Sequence, residues 1–179
     1  SLSTSVNSQP ISPARFPPTN AGFIHYIYYM SSYEYFETSF EKIYDLWNKG
    51  RPAGGVSKIE HMSDLIWNSQ MWEDCCNISV TKDRSIFDKY EPTFWAVREN
   101  DEIIGVNSGF RTSDDIYRSR GLYVKPEKRG EGLSKMLLKL TIQTAKIEEC
   151  RIIWTMPRKD ALFAYESVGF RKIGGWIDK

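Results

Sequence analysis

The segment Leu122-Tyr123-Val124-Lys125-Pro126-Glu127-Lys128-Arg129-Gly130-Glu131-Gly132-Leu133-Ser134 decides the fold, because it joins a strand-like run to a long amphipathic helix through a glycine turn. Upstream, Ile116 to Val124 reads as a strand. Downstream, Leu133, Met136, Leu137, Leu140, Thr144 and Ile147 fall on one face at helical spacing. Gly130 and Gly132 tolerate positive φ and carry no side chain, so consecutive backbone N–H groups can point outward at the helix N-terminus, where the dipole adds partial positive charge. Such a turn suits a pyrophosphate. Gly-x-Gly alone does no more than end a strand and start a helix, and here the flanks narrow the reading. The chain has neither the Gly-Lys-Ser/Thr ending of a nucleotide P-loop nor the third glycine of a dinucleotide fold.

Working outward, Arg151 to Met156 is a short β-prone run, Asp160 to Val168 a helix capped by Asp160 and stopped by Gly169, and Phe170 to Trp176 a last strand. Toward the N-terminus, Thr93 to Val97 and Ile103 to Phe110 read as a hairpin around Glu99-Asn100-Asp101-Glu102. Tyr33 to Phe36 is a strand. Ser39 caps a helix to Asn48 that places Phe40, Ile43, Tyr44 and Trp47 together. Gly50 to Gly55 breaks that helix, and Ser57 opens another with Ile59, Met62, Leu65, Ile66 and Ser69 on one face. This order of elements predicts a mixed sheet with helices on both sides.

The 179 residues fit one domain, taken as 23–179, behind a Ser- and Pro-rich tail or leader at 1–22 whose burial would not repay its ordering entropy. Met30 would serve as a natural start. With 24 Lys+Arg against 23 Asp+Glu and no single-sign block, charge makes no case for a nucleic-acid partner. The 3 cysteines include the adjacent Cys75 and Cys76, which argues for free thiols in a reducing compartment, and no apolar run approaches a membrane span. A cytoplasmic protein without a membrane partner is the expectation. His25 and His61 have no Cys or carboxylate at ligand spacing, so no metal site is expected.

On this motif the chain resembles the GNAT family of N-acetyltransferases, whose signature is a strand ending in apolar-x-Val, then x-Pro, then Arg/Gln-x-x-Gly-x-Gly/Ala opening the longest helix. Val124, Pro126, Arg129 and Gly132 occupy those positions, and Ser134 stands where Gly or Ala is usual. A second stretch, Ala161-Leu162-Phe163-Ala164-Tyr165-Glu166-Ser167-Val168-Gly169-Phe170, matches the family's Ala-x-x-x-Tyr-x-x-x-Gly-Phe. The resemblance implies an α+β fold, a mostly antiparallel twisted sheet of about six or seven strands flanked by about four helices. It implies acetyl-coenzyme A as co-substrate and direct transfer to a primary amine, carried by a small molecule or a peptide, in a ternary complex. In that reading Leu122, Tyr123 and Val124 pair with the pantetheine arm through their backbone. The pyrophosphate falls to Arg129, Gly130, Glu131, Gly132, Leu133, Ser134 and Lys135.

By the same resemblance, Tyr165 protonates the departing thiolate, although Leu162, Tyr165 and Val168 also recur at the spacing of a packing face. Arg158 stands where the family often has an Asn touching the coenzyme. Tyr117, Arg118, Ser119 and Arg120 occupy the strand where relatives often carry a Glu base, leaving Asp114 and Asp115 to act through water. That gap keeps open a second class, a non-catalytic coenzyme A sensor or interaction module. Cys150 reads as structural. A family strand beyond the Gly-Phe segment has no counterpart here, so Phe23 to Met30, or its copy from a second subunit in a homodimer, is expected to supply that pairing, the alternative being a solvated edge.

Overall fold

The computed structural model describes residues 28–30, 32–49 and 86–173. In chain order they form β1 (Tyr28–Met30), β2 (Tyr33–Thr38), α1 (Phe40–Lys49), α2 (Ile86–Lys89), β3 (Thr93–Glu99), β4 (Glu102–Ser113), β5 (Ile116–Val124), α3 (Leu133–Ile147), β6 (Ile152–Trp154) and α4 (Leu162–Ser167). Short 3-10 turns at Pro126–Lys128 and Lys159–Ala161 precede α3 and α4. The strands build one 6-stranded sheet in sequence order, antiparallel throughout except between β5 and β6, which are parallel and joined by α3. A parallel neighbour needs such a crossover, whereas the antiparallel pairs close through short turns.

The β3–β4 hairpin is closed by Asn100 at φ 50 and Asp101 at φ 64, two residue types that enter the left-handed region at low cost. Strand periodicity then divides the core. Phe94, Ala96, Val106 and Phe110 face α1 and its Ile43, Leu46 and Trp47. Trp95, Val97, Ile104 and Val124 face Leu133, Leu137 and Leu140 of α3. Buried Asn107 pins the second layer, its Nδ2 donating to Ser119 Oγ at 2.9 Å and Thr141 Oγ1 at 2.8 Å, so one amide links β4, β5 and α3.

Three expectations are corrected. Asp160 caps no helix: it lies inside the 3-10 turn, Arg158 holds the cap position with no side-chain bond, and α4 begins only at Leu162. Phe170 to Ile173 form no strand. Gly169 turns at φ 103, the Phe170 N–H bonds back to Tyr165 O at 3.2 Å, and the Phe170 ring packs edge-on to Tyr165, which keeps the segment at the helix end. Tyr28–Met30 does not pair beside the fifth strand. It lies against Tyr33–Tyr35 at the far edge of the sheet, because its short connection to β2 makes a hairpin the nearest partner. Helix α2 had no counterpart in the sequence reading, since four residues are too few to show a period. The expected helix from Ser57, the Gly50 to Gly55 break, the tail and residues 174–179 lie outside the described residues. No helix among the described residues is long and apolar enough to cross a membrane.

Candidate functional site

The site forms where β5 and β6 part. Their parallel pairing runs only from Ile116–Ile152 to Arg118–Trp154. Thr155 Oγ1 donates to Ser119 O at 3.0 Å as a last clasp, and beyond it Leu122 to Val124 have no strand on that side among the described residues. An unpaired strand edge offers N–H and C=O groups to an extended, amide-bearing ligand. The break is built by Gly121 at φ 81, which lies where β5 carries one residue more than β4 between the Tyr123–Val106 and Arg120–Ser108 pairs. Sequence reasoning passed over Gly121, although a glycine inside a strand pattern is the usual sign of a bulge.

At the end of β5 the chain enters the glycine turn. Arg129 Nε donates back to Val124 O at 3.0 Å and its guanidinium lies 5.4 Å from the Tyr123 ring centre, which holds the turn against the strand. Gly130 has φ 85, and Gly132, the N-cap of α3, has φ 80 with no side-chain cap bond. No atom lies within 4 Å of where a β-carbon would stand on either glycine, so the turn opens outward. The first-turn N–H groups of Leu133, Ser134 and Lys135 have no acceptor within the helix, and no acidic residue occupies that turn. These donors fit a diphosphate. Leu133 contributes backbone only, since its side chain is buried in the core. Lys128 is held elsewhere, on Glu99 Oε1 at 2.6 Å.

A cavity of about 350 Å³ between the parted strands brings Leu122, Val124, Arg129 and Ser134 together with Arg158 and Tyr165. The Tyr165 ring is buried, and burial pushes its hydroxyl above the ordinary phenol value of 10.0, partly offset by hydrogen bonding with Thr155 and Ser119 and by the Arg118 charge. It is a neutral donor at physiological pH. Arg118 is itself buried against the Trp154 and Phe110 rings, and desolvation, then the neighbouring Arg120 charge, pushes it down. Asp114 and Asp115 are not brought here. They lie at the opposite end of β5, Asp114 on Lys89 Nζ at 3.0 Å and Tyr90 Oη at 3.1 Å, Asp115 on Arg151 Nε at 2.8 Å. Glu166 is exposed. Among the described residues no group of three His, Cys, Asp or Glu could hold a metal.

Residues 40–170 match the model of the Acetyltransferase (GNAT) family. The chain belongs to the GNAT family. No curated protein matches it in sequence. Among solved structures, a predicted acetyltransferase from Clostridium acetobutylicum with acetyl-CoA has a TM-score of 0.55 at 16% identity, over 82% of this chain and 95% of that one. Glucosamine-6-phosphate N-acetyltransferase from Arabidopsis thaliana gives 0.54 at 12%, over 83% and 98%. A GCN5-related N-acetyltransferase from Kribbella flavida gives 0.57 at 9%, over 95% of this chain but 55% of its own, so this chain spans about half its length. At these identities the likeness is one of fold. The residues on which the resemblance rests, Val124, Pro126, Arg129, Gly132 and Tyr165, all fall within the matched span.

Proposed function

We propose that the protein is an acetyl-CoA-dependent N-acetyltransferase, a single domain over 23–179, that transfers acetyl directly to a primary amine. The observation that carries this reading is the cavity lined together by the open Leu122–Val124 edge, by Ser134 at the start of α3 and by Tyr165. The pantetheine amides would pair with the strand edge, and the backbone from Gly130 to Lys135 would hold the diphosphate with Arg129 fixing the turn. The amine nitrogen attacks the thioester carbonyl, the C–S bond breaks, and one proton passes from nitrogen to sulfur. Tyr165 donates to the departing thiolate. Since a thiol ionises at ~8.5, below a phenol, Tyr165 steadies the thiolate by its hydrogen bond and gives up its proton only as the amine's proton replaces it.

Strand β5 carries no carboxylate, and this favours a second reading, a coenzyme A-binding module without catalysis. One assay separates them. Thiol release from acetyl-CoA is measured with a panel of amines, amino sugars, amino acids and peptides among them, between about pH 7 and 9. Amine-dependent release supports the enzyme; coenzyme A binding without release from any amine supports the module.

A further inference from the structure

We propose that Tyr33 is a positioning residue that holds the Glu131 carboxylate out of the phosphate cradle, an inference that rests on the coenzyme A reading above. Glu131 lies between the two left-handed glycines, whose outward faces are open. A carboxylate free to swing across that opening would meet a diphosphate, and like charges at such range oppose what the helix dipole and N–H groups supply. It is not free. Tyr33 Oη, on β2, donates to Glu131 Oε2 at 2.7 Å across 98 positions of sequence.

Two lysines of the turn are also drawn toward the neighbouring strands. Lys128 is bonded to Glu99, which also accepts from Ser32 Oγ at 3.5 Å, and Lys125 pairs with Glu102. These three ties, from Glu131, Lys128 and Lys125, run from the turn to strands β2, β3 and β4, so the backbone N–H groups are left to face a ligand. The bond to Glu131, with desolvation and the Glu131 charge behind it, pushes the Tyr33 hydroxyl up to about 12, so it remains a donor wherever an amine acetyl transfer would run.

The test is calorimetric titration of the full chain with coenzyme A, for the wild type, Tyr33→Phe, Glu131→Gln and the double variant, at about 0.1 M and about 1 M salt. Wild-type protein that binds no coenzyme A overturns the function proposed above and leaves nothing for Tyr33 to position. Given wild-type binding, Tyr33→Phe is expected to weaken affinity about fivefold at low salt, the penalty of a carboxylate released toward two phosphates. Phe keeps the ring that packs against the core layer under α3, and an unchanged melting temperature checks the fold. Adding Glu131→Gln is expected to restore affinity, and the penalty to shrink at about 1 M salt, where the Debye length is ~3 Å. A merely structural role would move neither readout. Tyr33→Phe binding as tightly as wild type, or a loss that Glu131→Gln fails to restore, overturns the proposal.

Discussion

Trp47 occupies the space that a side chain at Gly121 would need: a β-carbon there would lie 1.6 Å from the indole Nε1. That nitrogen is itself placed, 3.3 Å from Ser108 Oγ and 3.4 Å from Arg120 O, across the bulge in β5. Helix α1 therefore sets where the strand bends, and so where the open edge of Leu122 to Val124 lies. A residue of the first helix thus shapes the candidate coenzyme edge through the bulge at Gly121.

Gly121→Ala meets both a left-handed φ and the indole. The first costs about 1–2 kcal/mol and the second about 1–3 kcal/mol. Thermal melting is expected to show a loss of that combined size, with coenzyme A affinity falling alongside it. Combining it with Trp47→Phe, which shrinks the ring, should destabilise less than the sum of the single changes. Strict additivity would mean that the two residues do not press on each other.

Gly132→Val places a β-branched side chain on the open side of the turn at φ 80. Stability should fall by about 1–2 kcal/mol from the left-handed backbone alone, since the β-carbon would meet no protein atom. Coenzyme A affinity should fall at least about tenfold, because the added methyls stand where phosphate oxygens approach the N–H groups. Titration of the folded variant checks this, and unchanged affinity would place the diphosphate elsewhere.

How much was legible follows from which signals are local. The glycine turn, its strand and α3 were readable because backbone conformation and an amphipathic period are written in adjacent residues. The Asn100-Asp101 hairpin was readable for the same reason. Gly121 carried a local sign, a glycine inside a strand pattern, but no local pattern records that Trp47, far upstream, fills the space beside it. Tyr28–Met30 was seen as a strand but sent to the wrong edge, since β propensity says nothing about partner. Phe170 looked like the start of a strand because its apolar character was real, but it is spent on packing against Tyr165.

Tyr165→Phe removes the phenol hydroxyl and keeps the ring that packs on Phe170. The expected result is a fall in kcat of about 10²-fold with acetyl-CoA affinity changed by less than about threefold, the pattern of an interaction made as the thiolate forms. Because burial raises the hydroxyl above the ordinary phenol value of 10.0, the wild-type rate should climb with the free amine from neutral pH, and any decline from phenol ionisation should set in at higher pH than an ordinary phenol would give. Equal kcat in the two proteins would return Tyr165 to a packing role.

Cys150 bears on how thiol release is read. It follows the end of α3, its N–H bonded to Ala145 O at 2.9 Å, and burial pushes its thiol up to about 12, against a smaller opposing pull from Arg111. Since the thiolate is the nucleophile, a shift from ~8.5 leaves on the order of 10³-fold less of it at pH 8. In a chain carrying Cys75→Ser and Cys76→Ser, a coloured disulfide reagent should therefore label the folded protein slowly. Denaturation in guanidinium should restore the rate of an ordinary thiol, a rise of about 10³-fold. The low background would let thiol release be followed continuously in that variant. Labelling of the folded protein at the denatured rate would mean that Cys150 is neither buried nor shifted as described, and that the cap at the end of α3 opens readily.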